Sequence, residues 1–243
     1  MHMRIRRGIA AALTVSALGF TSVACGGASD KKSDSSTEKG GSSASEKPAE
    51  DKKVSTEPLT AEQMKASTLE LGDLPSGWSV RKIPSSNDPA PKADKPECQP
   101  IADMMGVVKA TKGDEIDFVQ ADGKIELDQR VFTFPGTGAA DYVKAVDTAL
   151  ATCTTVSFDM EGTKVPVKIA RVDAPKAAEA SQAFTMAMAF APGIEIKVHM
   201  LVAHQGTGAT RAVYKSADAA EAQKTFGDLV TRIGDKLVKG ATS

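Results

Sequence analysis

Three cysteines offer the widest choice of covalent chemistry in this chain: Cys25, Cys98 and Cys153. A thiol can be alkylated, oxidised to a disulfide or deprotonated to bind a metal, and the cellular compartment largely decides which reaction occurs. Cys25 follows a short apolar segment near the start of the chain, whereas the other two lie in a region with the composition of a globular domain. The first cysteine therefore belongs to a different chemical setting from the other two.

Histidines are present, but their spacing does not form a known catalytic set. His199 and His204 lie in or beside one predicted strand, and His199 shares a face of that strand with Glu195 and Lys197, which predicts a solvated polar face. A catalytic base, the alternative, needs a nucleophile and an orienting group beside the imidazole. The chain lacks the G-x-S-x-G, H-E-x-x-H, P-loop and dinucleotide-binding glycine patterns. We therefore predict a non-enzymatic protein without a cofactor or a resident metal.

A group of acids near residue 115 invites comparison with a calcium site. Asp114, Glu115 and Asp117 stand close together, but the regular ligand spacing of a calcium-binding loop is missing. Other acids of the chain are scattered and predict surface or helix-capping positions rather than an acid pair; they include Asp141, Asp147, Asp159 and Glu161.

The first 24 residues have the three-part layout of an export signal. A start with three arginines, an apolar run over residues 9–20 and a stretch of small residues lead to Cys25, and the apolar run is too short for a stable membrane span. The stretch Ser22-Val23-Ala24-Cys25 resembles the signal of bacterial lipoproteins. That resemblance implies cleavage before Cys25 and a diacylglycerol anchor on its sulfur, which would hold the protein on the outer face of the cell membrane. Ordinary secretion is the alternative.

Composition divides the rest of the chain into a tether and one domain. Residues 25–57 are almost wholly small, charged or proline residues without apolar periodicity, which predicts a disordered tether. Residues 58–243 remain for a single extracytoplasmic domain, enough to bury a core. Removing the three arginines of residues 1–24 leaves 27 basic and 31 acidic side chains, a net charge of −4. This mildly acidic balance gives no electrostatic footprint for nucleic acid.

Export places Cys98 and Cys153 in an oxidising compartment, where an even pair of cysteines predicts a disulfide. The bridge would close a loop of about 55 residues. Two free thiols or a metal site are the alternatives. A cysteine pair alone is a poor zinc set, because His199 and His204 are not spaced like its partners.

The periodicity of the domain predicts an α+β fold. A capping box at Thr60 and Gln63 opens the first helix, and Pro166 predicts an edge strand. The expected architecture is a twisted antiparallel sheet with helices packed on one face. Helices are predicted over residues 61–72, 98–108, 139–152 and 217–237, and strands over 78–83, 116–120, 125–134, 165–169, 184–190, 194–202 and 209–215.

Methionine and phenylalanine recur on the faces of the predicted three-stranded meander. Methionine suits adaptable apolar pockets, so these side chains either form the core beneath the helices or line a cleft for a lipid or another apolar ligand. The residues concerned are Phe184, Met186, Met188, Phe190 and Met200.

Two short motifs and the order of elements resemble a known family. The motifs are Leu74-Pro75-Ser76-Gly77-Trp78 and Cys98-Gln99-Pro100-Ile101, followed by a helix that ends at Cys153, the meander and a terminal amphipathic helix. Residues 58–238 thereby resemble small actinobacterial lipoproteins and sensor-domain-containing proteins. More distantly, they resemble the extracellular sensor domain of some mycobacterial serine/threonine kinases. The resemblance implies an extracytoplasmic α+β domain with a disulfide and a ligand cleft.

Together these features predict a membrane-anchored bacterial lipoprotein. Its extracytoplasmic domain would be non-enzymatic and sensor-like, binding an unidentified ligand or protein of the cell envelope. The alternative is a carrier of lipid or another apolar ligand in the envelope, which requires a sizeable apolar cavity.

Overall fold

A computed structural model describes residues 56–82, 89–106, 110, 112–120, 123–216 and 219–243. The predicted export segment and residues 25–55 of the predicted tether lie outside the described residues. All described residues belong to one compact unit. No helix in these ranges combines the length and the apolar content needed to cross a bilayer.

Within the described ranges, the domain consists of one nine-stranded antiparallel sheet and four α-helices, which confirms the predicted α+β class. The strands lie side by side in the order β1-β3-β4-β9-β8-β7-β6-β5-β2. The helices are α1 (Ala61–Ala66), α2 (Gln99–Asp103), α3 (Gly138–Leu150) and α4 (Ala219–Thr242). The strands are β1 (Trp78–Arg81), β2 (Lys92–Ala93), β3 (Lys112–Gln120), β4 (Ile125–Thr133), β5 (Thr155–Met160), β6 (Thr163–Arg171), β7 (Ala180–Ala191), β8 (Ile194–Gln205) and β9 (Gly208–Ser216).

The first helix begins at the predicted capping box. The Gln63 backbone N–H donates to the Thr60 hydroxyl at 3.2 Å, and the Gln63 side-chain oxygen accepts from the Thr60 N–H at 2.9 Å. Two amide groups that a helix start leaves unpaired are satisfied in this way. The helix ends at Ala66, earlier than predicted, and a short 3-10 turn at Leu71–Asp73 follows.

A buried glutamine fixes this N-terminal segment to the sheet. Gln129, on β4, is fully buried; its side-chain oxygen accepts from the Leu69 N–H at 2.8 Å, and its amide nitrogen donates to the Ser67 carbonyl at 3.2 Å. The same nitrogen lies 3.3 Å from the Thr210 hydroxyl of β9. Because a buried amide without partners is strongly destabilising, these contacts specify where the segment after α1 lies.

The strand β8 is buried on both faces, and the helices therefore cover both faces of the sheet. Val198, Met200 and Val202 pack into one core cluster with α2 and α3. Leu201 and Ala203 project from the opposite face of the strand and pack into a second cluster with α4. The helix α1 contacts α4 on that second side. The prediction that all helices share one face is therefore corrected, since β8 needs apolar cover on both sides.

The predicted meander is present as β7, β8 and β9, with one irregularity. The pairing of β7 with β8 shifts register between Ala189 and Ala191, which leaves Phe190 without a paired position. A β-bulge of this kind interrupts the alternation of faces. Phe190 is 47% exposed beside the turn, whereas Met188 is buried in the core.

Two strands, β2 and β5, were not predicted, and β5 changes the position of its neighbour β6. The strand β5 pairs with β6 along its whole length, so β6 lies inside the sheet and the predicted edge position of Pro166 is wrong. Pro166 lies opposite Ser157 of β5, and the pairing of β6 with β7 begins only at Val167. Pro166 therefore has no pairing partner in β7, and the sheet accommodates its missing N–H there.

The predicted disulfide is present. Cys98 and Cys153 are joined across 55 residues of sequence, and both are buried in the core cluster beneath α2 and α3. Cys98 lies directly before α2, and Cys153 follows the end of α3. The bond therefore fastens the two helices of this face to each other at their termini.

Replacing both Cys98 and Cys153 with alanine should lower the free energy of unfolding by about 4 kcal/mol, because a crosslink over this loop length restricts the unfolded chain. Urea unfolding followed by the fluorescence of Trp78, the single tryptophan, measures the change. Reducing the unmutated protein is the control and should give a similar loss. A loss below about 1 kcal/mol in both experiments would contradict the assigned role of the bond.

Candidate functional site

A group of charged side chains occupies the part of the sheet next to the region covered by α3. The helix α3 packs on β6–β9. Beyond it, on the same face, aligned positions of β1, β3, β4 and β9 carry charges. We call this surface the charged face; its members are Arg81, Glu115, Asp117, Glu126, Asp128, Arg130, Arg211 and Lys215.

Arg211 is the most deeply buried cation of the charged face. Its side chain is 5% exposed, and its Nη2 donates to Asp128 Oδ1 at 2.5 Å. Its Nη1 donates to the Met104 carbonyl just after α2. Removing one partner of a buried ion pair is strongly destabilising, because the other charge is left without compensation. Arg211 therefore links the charged face to the helix layer beside it.

Further ion pairs connect the neighbouring strands. Arg130 of β4 donates to Glu115 of β3, and Arg130 Nε lies 3.9 Å from Asp128 Oδ2. Arg81 of β1 donates to Glu126 of β4 at 3.1 Å. These side chains are 20–36% exposed, so solvent reaches this network and weakens each pair.

Asp117 and Asp128 form a hydrogen-bonded carboxyl pair between β3 and β4. Burial, together with the charges of Asp128 and Glu115 and the hydrogen bond with Asp128, raises the pKa of Asp117 to about 6, against the opposing effect of Arg81. Two carboxylates in hydrogen-bond contact resist simultaneous ionisation, so one proton is shared between them in mildly acidic solution.

The same acids are the strongest candidates for binding a cation among the described residues. One oxygen each from Glu115, Asp117 and Asp128 lies within 4.8 Å of the others. The cluster differs from the group considered in the sequence, because Asp128 replaces Asp114. Three guanidinium groups already compensate these carboxylates; they belong to Arg81, Arg130 and Arg211. We therefore assign the acids to ion pairs and a shared proton rather than to a metal.

Three buried polar atoms in or beside the charged face have no hydrogen-bond partner among the described residues. They are Nε of Arg81, Nε of Arg211 and the hydroxyl of Tyr142, which lies on α3. Burial raises the pKa of Tyr142 to about 12, so its hydroxyl keeps its proton. Unpaired buried groups are rare in folded proteins and mark positions where a bound polar group would be stabilised.

Four of the five residues predicted to line an apolar cleft lie together in the core. Phe184, Met186, Met188 and Met200 are buried beneath α2 and α3, and the fifth, Phe190, is exposed at the bulge near the end of β7. None of the five lines either of two surface pockets in the described part of the domain, one beside β2 and β5 and one beside the start of β8. An apolar ligand at these residues stays a prediction.

The two histidines occupy different environments. His199 is buried against Phe226 of α4, with ring centroids 5.1 Å apart, so its predicted place on a solvated face is wrong. Burial and the nearby charge of Lys197 lower the pKa of His199. Burial also lowers the pKa of His204, although Glu179, 3.4 Å away, opposes that effect.

The ion pairs and the carboxyl pair of the charged face were not predicted from the sequence, because their members are distant in sequence. Asp117 and Asp128 lie on adjacent strands, and Arg211 comes from a strand 83 residues after Asp128. The charged face therefore depends on strand order, for which single-sequence periodicity carries no signal. Only the cluster of acids around residue 115 indicated part of it.

Comparison with known proteins supports the fold. No protein-family model and no curated protein matches the chain. Among solved structures, the chain is similar to the extracellular domain of PknH from Mycobacterium tuberculosis, with 14% identity and a TM-score of 0.55 over 77% of this chain and 99% of that chain. A Mycobacterium smegmatis protein described as the Rv0999 ortholog has 10% identity and a TM-score of 0.41, over 77% and 98%.

The first of these structures confirms, as a shared fold, the resemblance to mycobacterial kinase sensor domains drawn from the sequence. At 14% identity the similarity concerns the fold and carries no individual residue across.

Asp117→Asn should flatten the pH dependence of stability. The folded protein binds a proton at Asp117 that the unfolded chain releases above its ordinary pKa of 3.8, so the stabilisation is complete below that pH and is lost as the pH rises through about 6. Asparagine keeps a hydrogen-bond donor without the titration. We expect the variant to be more stable than the unmutated protein by about 1–2 kcal/mol near neutral pH.

Urea unfolding at a series of pH values from acidic to neutral measures this difference. Asp114→Asn, on the same strand but outside the carboxyl pair, is the matched control and should keep the pH profile of the unmutated protein. Superimposable profiles for Asp117→Asn and the unmutated protein would show that Asp117 holds no shared proton.

Proposed function

We propose that this protein is an exported bacterial lipoprotein whose α+β domain binds a ligand or a protein partner of the cell envelope without catalysing a reaction. Residues 1–24 would be removed, and Cys25 would carry the diacylglycerol anchor. Residues 25–57 would form the tether, and residues 58–243 the binding domain on the outer face of the membrane.

The signal at Cys25 and the fold support export. The stretch before Cys25 resembles a lipoprotein signal, and a solved structure that shares this fold is an extracellular domain. A disulfide between Cys98 and Cys153 agrees with folding in an oxidising compartment. A diacyl anchor has two buried chains, which is what stable attachment to a bilayer requires.

The charged face is the observation that carries the binding function. A buried ion pair such as Arg211 with Asp128 generally adds little net stability compared with apolar packing at the same position, so a role in recognition fits it better than a role in stability. The surrounding charges of both signs remain partly exposed on aligned strands. Such a surface suits recognition of a polar or charged partner, because complementary charges orient it and speed its association.

A hydrolytic function has less support. The pair of Asp117 and Asp128 shares a proton, as acid–base carboxyls do, but arginines already occupy the positions around it. Neither described surface pocket is lined by either acid. A substrate would thus have to displace existing ion pairs before it reached the carboxyl oxygens.

The second candidate function, a carrier of lipid or another apolar ligand, is favoured by the run of Phe184, Met186, Met188 and Met200 on one side of the sheet. These side chains pack against α2 and α3 in the core cluster. A carrier would therefore need α3 to move away from β7 and β8. A lipid of defined mass retained on the purified chain in native mass spectrometry would favour the carrier over the binding domain.

Cys25→Ser should release the protein from the membrane fraction, because the anchor forms on the Cys25 sulfur. Cell fractionation and labelling with radioactive palmitate measure the change, and the label should enter the unmutated protein only. The variant with alanine at both Cys98 and Cys153 is the control and should stay on the membrane. Retention of Cys25→Ser on the membrane would rule out the proposed anchor.

Arg130→Gln should abolish most crosslinks between the domain and its envelope partner, since it removes a partly exposed charge from the centre of the charged face. In-cell crosslinking followed by mass spectrometry measures the loss. Arg171→Gln, which breaks an exposed ion pair with Asp147 elsewhere, is the matched control and should crosslink normally. If both variants retain every crosslink while remaining folded, the charged face is not the binding surface.

A further inference from the structure

The hairpin of β7 and β8 ends in a run of apolar residues that water reaches. Phe190 is 47% exposed, and Ile194, at 57%, is the most exposed large apolar side chain in the described ranges. Hairpin ends usually carry small polar residues such as Asn, Asp or Ser beside the turn. Here six consecutive residues have no charge and no hydrogen-bonding side chain. We call them the apolar tip, and they are residues 189–194, with the sequence Ala189-Phe190-Ala191-Pro192-Gly193-Ile194.

The apolar tip lies beyond the part of the hairpin that its neighbours hold. The pairing of β6 with β7 ends at Met188, and that of β9 with β8 ends at His199. Within the described ranges, residues 189–195 therefore pair only with each other, and the bulge leaves Phe190 unpaired. None of the tip residues belongs to a described core cluster. The exposed side chains thus sit at the end of a two-stranded ribbon and are free to contact another surface.

A second copy of this chain offers no matching cavity at the two pockets described above. One is lined mostly by charged residues beside β2 and β5, and the other by charged and polar residues beside the start of β8. Burying an aromatic ring in either would leave charged groups without water. These pockets therefore do not accept the ring of Phe190.

A bilayer is within reach of the apolar tip in the proposed anchored protein. The Thr56 carbonyl accepts from the Gly136 N–H at 3.2 Å after β4, so the chain enters the domain about 40 Å from the tip, the length of a twelve-residue strand. The predicted tether over residues 25–55 has 31 residues. A chain of that length spans about 30 Å as a flexible coil and about 100 Å when extended. The tether is therefore long enough for the domain to tip over and lay the tip on the membrane.

The charges next to the apolar tip are balanced. Glu195 and Lys197 follow it on β8, and both are exposed. Opposite charges of equal number give no net attraction to anionic lipid. The contact therefore has to come from burial of apolar surface, which does not depend on the charge of the headgroup.

We propose that the apolar tip inserts into the interface of the bilayer that holds the anchor, with Phe190 and Ile194 as the side chains that enter it. This inference rests on the proposed lipid anchor at Cys25, because the anchor keeps the bilayer at a high local concentration. Two partly exposed side chains bind a bilayer weakly by themselves, but a tethered domain needs only a weak second contact to be oriented. The tip therefore orients the domain, whereas the anchor retains it.

Fluorescence of a tryptophan at the tip tests the insertion. The lipidated chain in phosphatidylcholine vesicles carries Trp78→Phe, which removes the single native tryptophan, and Phe190→Trp as the probe. We expect its emission to shift to shorter wavelength and to be quenched by lipids brominated on their acyl chains. Leu71→Trp in the same background is the matched control, since Leu71 is 45% exposed on another element, and it should show neither effect. Equal quenching of both probes would overturn the proposal.

Phe190→Ser, read with a probe at Ile194→Trp, should reduce the quenching by about half, because it removes one of the two inserting side chains. Leu71→Ser removes a similarly exposed side chain and should leave the quenching unchanged. Replacing phosphatidylcholine with phosphatidylglycerol should also leave it unchanged. Quenching that occurs only with phosphatidylglycerol would show attraction between charges instead of apolar insertion, and would overturn the proposal.

The anchor and the insertion can fail separately. The disulfide leaves Cys25 as the single free thiol of the mature chain, so a maleimide lipid can be coupled there if the cell adds no natural anchor. Quenching at the tip of that coupled chain would support insertion even when the natural anchor is absent. Normal anchoring without quenching would overturn the insertion and leave the lipoprotein proposal intact. Absence of quenching, with self-association that Phe190→Ser abolishes, would assign the tip to a second copy and overturn the proposal.

Discussion

The need to cover β8 on both faces shapes this domain. Apolar side chains project from both sides of the strand, and exposing either set to water would be strongly unfavourable. One side receives α2 and α3, which the disulfide fastens together. The other receives α4, whose apolar stripe runs along β8 and β9, with α1 packed beside it. The sheet is thus the middle layer of three, and its centre is closed to solvent.

The charged face begins where this cover ends. Arg211 of β9 projects from the same face of the sheet as Met200 and Val202 of the adjacent strand β8. Because α3 does not extend over β1 and β3, side chains there meet solvent, and the sequence changes from apolar to charged residues. Arg211 lies on the boundary between the two regions, buried like a core residue but paired like a surface one. This position explains why its contacts reach both Asp128 and the chain after α2.

Features encoded by neighbouring residues were predictable from the sequence. The capping box at Thr60, the meander and the apolar stripe of α4 each depend on a local pattern, and each is present. Features that depend on strand order were not predictable. The burial of His199 follows from the packing of α4 on β8, and the interior position of Pro166 follows from β5. The bulge at Phe190 likewise breaks an alternation that the sequence continues without interruption.

The path of the chain gives the domain two unlike poles. Gly136 donates to the Thr56 carbonyl at 3.2 Å, and Thr207 donates to the Glu57 carbonyl at 2.8 Å, so the first described residues lie where β4 ends and β9 begins. The other ends of these strands, where β4 begins and β9 ends, lie about 30 Å away for a nine-residue strand. In the proposed anchored protein, the attachment point is therefore proximal to the membrane, and the other ends of β4 and β9 are distal. Solutes of the cell wall reach the distal pole directly, whereas a headgroup of the home membrane reaches it only when the domain tips over on its tether.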